Sequence, residues 1–196
     1  MNLPNKLTTA RIILIPFILL FLLPIPGYKE WNQWLSGGEA RVIATLLFVI
    51  ASFTDFLDGK IARSQNLVTN FGKLFDPIAD KLLVLGSFAA FVKLGTFPCS
   101  VFVLIMAREF FVSGLRQVAA ANGQVIAASP LGKWKTFSQL LCLFVLFIEP
   151  FLRSSTMIFE KSNIFRTAWI VLALIMTLIS GIDYFVKNKD LVLSDC

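Results

Sequence analysis

With 196 residues, 57 % of them hydrophobic, and a mean hydropathy of +0.77, the chain is too apolar for a soluble core and reads as an integral membrane protein. The formal net charge of +6 is spread over the ends of apolar segments and forms no basic run, which argues against nucleic acid as a partner and for anionic membrane lipid. Three cysteines without paired spacing, and no histidine, indicate neither a disulfide framework nor a zinc site.

The length accommodates about six spans of roughly 20 residues with short loops. The expected fold is therefore an all-α integral membrane protein, six transmembrane helices in one domain over residues 1–196, preceded by a short N-terminal interfacial segment. That segment, residues 1–9, carries Asn5 and Thr8. The first span follows over 10–23 with Pro16 as a kink, and it is read as retained because no small-residue cleavage site comes after it. A polar loop over 27–39 places Trp31 and Trp34 in an aromatic belt. The second span, 41–57, stays apolar until Asp55; a polar connector over 59–72 leads into the third span, 73–93. After a tight turn, the fourth span, 99–119, holds Arg108, Glu109 and Arg116 as a polar stripe, and intramembrane charge marks a site or pathway by default. Loops over 120–132 and 153–166 flank a fifth span, 133–151, opened by Lys133 and Lys135; the sixth runs over 167–186. Cations concentrate on the side that bears Asp55 to Asp80, which predicts that this side and both termini face the cytoplasm.

The chemistry centres on four aspartates. Asp55 and Asp58 are three apart, and Asp76 and Asp80 four apart, so each pair shares a helix face next to an apolar span. A carboxylate at the centre of a span costs roughly 2.5–3.5 kcal/mol on insertion scales, so four of them need cationic compensation. Facing one another, they make a nest of hard oxygen ligands suited to Mg²⁺ or Mn²⁺, and to two ions rather than one. Two metals at a cytosolic membrane surface clamp a diphosphate well, which points to phosphoryl-type transfer. Gly59 lets backbone approach phosphates closely, Arg63 supplies a fixed cation, and Gly72 allows the third helix to pack near the second. The plain alternative is a set of solvated helix-end acids balanced by Lys60, Arg63, Lys73 and Lys81; it leaves the helical spacing of both pairs unexplained.

The run Asp55-x-x-Asp58-Gly59-x-x-Ala62-Arg63, then after eight residues Gly72-x-x-x-Asp76-x-x-x-Asp80, resembles the complete signature of the CDP-alcohol phosphotransferase family. The resemblance implies six transmembrane helices, two divalent ions bound by Asp55, Asp58, Asp76 and Asp80, and transfer from a CDP-linked lipid to an alcohol with release of CMP. It further implies that Asp58, Gly59, Ala62, Arg63 and Gly72 bind the CDP group, that Asp80 accepts the proton of the acceptor hydroxyl, and that the protein is a homodimer. Outside the signature, Asn2 to Arg11, Ala107-Arg108-Glu109-Phe110, Gly114-Leu115-Arg116, Gly132 to Thr136 and Ser180 to Phe185 resemble the bacterial branch of the family that uses CDP-diacylglycerol and glycerol 3-phosphate. That implies phosphatidyl transfer in the bacterial cytoplasmic membrane. Glycerol 3-phosphate is a dianion, and Arg108, Arg116, Lys133 and Lys135 offer its phosphate a cationic receptor, with Asn5, Thr8 and Glu109 as further site lining. Branches of the family with another acceptor (cardiolipin, phosphatidylserine or phosphatidylinositol-phosphate synthases), an intramembrane prenyltransferase and a divalent-cation transporter stay open at this point.

Overall fold

The computed structural model describes residues 3–65, 70–121, 123, 126, 129–155 and 162–189; within its helices, the side chains of 3–4, 55–65, 70–71, 73–74, 121, 152–155 and 162 lie outside the description. Among the described residues the regular structure is helical throughout: α1 (Leu3–Leu22), α2 (Lys29–Ser36), α3 (Glu39–Gln65), α4 (Asn70–Lys93), α5 (Cys99–Ala121), α6 (Pro130–Ser155) and α7 (Ser162–Lys187). The chain packs as two compact units, Met1–Thr96 and Phe97–Cys196.

In the first unit, α1 corrects the expected interfacial segment. The helix starts at Leu3 and runs through Pro16 without a break, so Asn5 and Thr8 belong to the same rod as the apolar run. The reason lies in its buried stripe: Asn5, Thr8, Arg11, Ile15, Ile18 and Leu22 recur every three or four residues and are all buried, polar at one end and apolar at the other. Ile13, Phe17 and Leu20 point away from that stripe and are exposed, as a lipid-facing surface requires. The expected loop after α1 contains α2, bent by 75° from the start of α3. It is fixed by Asn32, whose carboxamide both accepts from the Ile25 amide and donates to the Ile25 carbonyl at 2.8 Å, and by an aromatic cluster in which the Trp31 and Trp34 rings lie 5.0 Å apart beside Phe21.

The connector expected over 59–72 is largely helical as well. Beyond Gly59 the sequence Lys60-Ile61-Ala62-Arg63-Ser64-Gln65 contains no proline and mostly good helix formers, so α3 continues to Gln65 and α4 begins at Asn70. The turn after α4 is as expected: Gly95, at φ +72°, is the left-handed cap, with the Thr96 amide donating to Phe91 O and the Gly95 amide to Val92 O, both at 3.0 Å. Contacts give the helix directions. Thr8 meets Asp76, and Ile15 lies nearest Gly86, so α1 and α4 run the same way; the Arg41 guanidinium lies over the Phe91 ring, so α3 runs opposite to α4.

The second unit repeats that up-down-up order. Ser129 caps α6, its Oγ accepting from the Gly132 amide at 3.2 Å, and Pro130 takes the first helical position, where no N–H is needed. α6 and α7 are antiparallel, joined by a fully buried Gln139–Thr177 hydrogen bond of 2.9 Å at mid-length and by a Glu149–Arg166 ion pair of 3.1 Å nearer their connection. Arg108 and Arg116 of α5 meet Ser180 and Tyr184 of α7 in the same order, so those two helices are parallel.

Among the described residues, three helical stretches are long and apolar enough to cross a membrane, Asn5–Leu22, Pro130–Phe151 and Asn163–Lys187; Lys29–Ser36 with Glu39–Thr54 makes a fourth if the bent pair is one span. Charge is what sets α4 and α5 apart from these: α4 carries Asp76, Asp80 and Lys81, and α5 carries Arg108, Glu109 and Arg116 within their lengths. Those charges mark one candidate region in each unit.

Candidate active site

Asp55, Asp58, Gly59, Ala62 and Arg63 all fall on α3, so the signature's first half is helical; their side chains lie outside the described residues. The second half lies on α4. Gly72 is buried in its opening turns, Asp76 is exposed and Asp80 half-buried, and the intervening Ala79 is fully buried against the unit's interior. Four residues bring Asp76 and Asp80 to adjacent turns of one face, open on one carboxylate and sheltered at the other.

α1 packs against this part of α4. Thr8, 1 % exposed, donates from Oγ1 to Asp76 Oδ1 at 2.6 Å. Asn5 and Arg11 flank it at three-residue spacing on the same buried stripe. Of the expected lining residues Asn5 and Thr8, Thr8 touches a signature carboxylate. Arg11, named only as the end of the N-terminal segment that carries the resemblance, is buried to 1 % exposure; its place three residues beyond Thr8 is the signal for it.

The second unit holds a separate charged cluster. Glu109 Oε1 accepts from Lys135 Nζ at 2.5 Å and from Arg108 Nη1 at 3.4 Å, all three side chains being nearly buried. Arg108 has a second anchor, donating from Nη2 to Ser180 Oγ at 2.6 Å. Gly181 makes room for it: a Cβ there would stand 3.1 Å from Arg108 Cγ. Of the four expected phosphate ligands, the structure therefore brings Arg108 and Lys135 together on one carboxylate. Arg116 is held elsewhere, donating from Nε to Tyr184 Oη at 3.0 Å beside Val112 and Leu115. Lys133 is exposed, two positions from Lys135 and so on another side of α6. Ser180, Gly181 and Tyr184 carry no role in the sequence beyond belonging to a resembling segment; the four-residue helical spacing of Ser180 and Tyr184 explains how one face of α7 serves both arginines.

Carboxylates that offer only oxygen, on two helices, suit a hard divalent cation and a diphosphate. Two cations gathered on one carboxylate suit a small anion. Comparison with known proteins agrees in kind. Residues 1–179 match the family model described as CDP-alcohol phosphatidyltransferase. The chain is 42 % identical over 193 residues to the CDP-diacylglycerol--glycerol-3-phosphate 3-phosphatidyltransferase of Bacillus subtilis (strain 168), covering 95 % of each. It is 42 % identical over 191 residues to the enzyme of that name from Rickettsia typhi, covering 96 % of this chain and 97 % of the relative. A probable phosphatidylglycerophosphate synthase of Mycobacterium tuberculosis (strain ATCC 25618 / H37Rv) is 36 % identical over 186 residues, 95 % of this chain and 81 % of its own. On the extent of the family match and of these identities, the chain belongs to the CDP-alcohol phosphatidyltransferase family.

Proposed function

We propose that this protein transfers the phosphatidyl group of CDP-diacylglycerol to the primary hydroxyl of glycerol 3-phosphate, giving phosphatidylglycerophosphate and CMP. The observation that carries the reading is full-length similarity at 42 % identity to bacterial enzymes of that name, in a chain whose signature aspartates and buried Arg108–Glu109–Lys135 cluster fit the two charged substrates. The family match spans both compact units, which supports a single functional domain.

Asp55, Asp58, Asp76 and Asp80 are the residues to hold two Mg²⁺ or Mn²⁺ ions, the oxygen-only donor set being the ground for a hard cation. Bound there, the ions would supply charge stabilisation to the diphosphate of the donor. Thr8 keeps the Asp76 carboxylate turned by occupying one of its oxygens. Asp58, Gly59, Ala62, Arg63 and Gly72 receive the CDP group. Arg108 and Lys135, with Arg116 and Lys133 as outlying cations, attract the phosphate of the acceptor. The acceptor hydroxyl attacks the phosphorus nearer the diacylglycerol, its proton passes to Asp80, and the bond to the departing CMP oxygen breaks.

Six helices, α1 and α3 to α7, each of 20 to 27 residues, reach the roughly 30 Å thickness of a hydrocarbon core at 1.5 Å per residue, and the up-down-up order within each unit supports six spans. The cation bias argues for a cytoplasmic site, where CDP-linked lipid and glycerol 3-phosphate are both within reach. The test is CMP release by purified protein given CDP-diacylglycerol and Mg²⁺ with glycerol 3-phosphate, serine, inositol phosphate or phosphatidylglycerol. Release with glycerol 3-phosphate alone is expected. Release with another alcohol would replace the acceptor assignment, and release with none, from folded protein, would overturn the transferase reading.

A further inference from the structure

Glu109 is a nearly buried charge that the transfer chemistry does not call for. Its Oε1 accepts from both Lys135 and Arg108, at 2.5 and 3.4 Å, and these are the donors assigned to the acceptor's phosphate. A carboxylate there competes with any phosphate for the same N–H groups. In the reaction the phosphate monoester of the acceptor is untouched, since the new bond forms at the hydroxyl oxygen. The product therefore carries the same dianion in the same receptor. A receptor made of uncompensated cations would hold substrate and product alike, lowering KM without raising turnover.

We propose that Glu109 is a displaceable counter-anion: it occupies Arg108 and Lys135 while the receptor is empty, yields them to the arriving phosphate, and reclaims them as the phosphate-bearing product leaves. The inference rests on the assignment of Arg108 and Lys135 to the acceptor's phosphate. The geometry suits such an exchange. Arg108 stays placed when Glu109 releases it, because its other terminal nitrogen is tied to Ser180 Oγ at 2.6 Å and Gly181 leaves its stem undisturbed. Glu109 is thus a positioning residue that acts through two cations.

The discriminating variant is Glu109→Gln, which keeps the shape and one accepting oxygen and replaces the charge with a neutral amide. CMP release by the full-length protein is followed with inorganic phosphate as a competitor of glycerol 3-phosphate. In the wild type, phosphate is expected to compete. In E109Q its inhibition constant should fall about tenfold or more, since a unit charge a few ångströms away is removed in a poorly screened site. KM for glycerol 3-phosphate should fall with it, kcat should fall as product release slows, and KM for CDP-diacylglycerol should stay within about twofold. Phosphate inhibition unchanged or weaker in E109Q overturns the proposal and makes Glu109 a structural partner. Should E109Q not fold, Glu109→Asp draws the carboxylate back by one methylene and is expected to tighten phosphate inhibition at least about twofold; no tightening overturns the proposal equally. Failure of phosphate to compete in the wild type is a different result, for it removes the receptor assignment itself.

Discussion

Thr8 on α1 donates a 2.6 Å hydrogen bond to Asp76 on α4, tying the first helix of the chain to a signature carboxylate 68 positions later. A hydrogen bond to a charged group contributes about 1.5–3 kcal/mol, and each 1.4 kcal/mol is tenfold. Thr8→Val keeps the shape and removes the donor. Its kcat is expected to fall roughly 10- to 100-fold and its thermal midpoint in detergent by a few degrees, whereas Thr8→Ser should recover most of both. Equal rates for Thr8→Val and wild type would make the contact a packing detail.

The lysines of α6 offer a contrast within one turn. Lys135 is buried against Glu109 and Lys133 is exposed. Lys135→Ala should raise KM for glycerol 3-phosphate about tenfold or more while moving KM for CDP-diacylglycerol little; Lys133→Ala should change both by less than about threefold. Steady-state kinetics with each substrate varied in turn decides the matter, and equal effects of the two variants would return Lys135 to the role of helix-end anchor.

The helical class, the apolar rods and the signature were legible in the sequence because each rests on local periodicity or fixed spacing. What escaped was set by tertiary partners. Residues 1–9 read as an interfacial segment because Asn2, Asn5, Lys6 and Thr8 are polar; packing against α4, with Asp76 to receive Thr8, turns Asn5 and Thr8 inward together with Arg11 and makes the segment the start of α1. Residues 27–39 read as a loop, yet the Asn32 bridge to Ile25 and the Trp31–Trp34 contact hold α2, neither being visible as a pattern. In the second unit the stripe on α5 was visible, but which cation joins which carboxylate depends on α6 and α7, and only the structure separates Arg108 and Lys135 from Arg116 and Lys133.

Gly181 provides a test of Arg108 that leaves Arg108 itself intact. A Cβ at this position would lie 3.1 Å from Arg108 Cγ, tighter than ordinary contact, so Gly181→Ala must push the arginine stem aside. The stem must give by a few tenths of an ångström, which strains the bond from the guanidinium to Ser180. Affinity for glycerol 3-phosphate is expected to drop several-fold with folding preserved, since alanine favours the helix by up to about 1 kcal/mol over glycine. A variant that is more stable and equally active would show that Arg108 needs no fixed stem.

Metal dependence tests the aspartates independently of the acceptor. Chelation by EDTA is expected to stop CMP release, and added Mg²⁺ or Mn²⁺ to restore it. Asp58→Asn should lose turnover by at least about a hundredfold while its thermal midpoint in detergent without metal stays at or above that of the wild type, because a costly intramembrane charge has been removed. Wild-type rates from this variant would remove the metal-site argument.

The Gln139–Thr177 hydrogen bond supplies the opposite expectation, stability without activity. Thr177 Oγ1 donates back to Ala173 O at 2.6 Å and accepts from Gln139 Nε2 at 2.9 Å, both side chains being fully buried between α6 and α7. Interhelical hydrogen bonds in membrane proteins average about 0.6 kcal/mol, but losing one partner leaves a buried amide donor unsatisfied, at about 1–3 kcal/mol. Thr177→Val should therefore lower stability by roughly 1–2 kcal/mol, between those bounds. The double variant Thr177→Val with Gln139→Leu removes both polar groups and should regain part of the loss. Michaelis constants for both substrates are expected to stay within about twofold, because no receptor or signature residue is among the bond's partners. A selective rise in the constant for glycerol 3-phosphate would instead mean that the α6–α7 packing helps to set the position of Lys135 or Ser180, which lie on the same two helices.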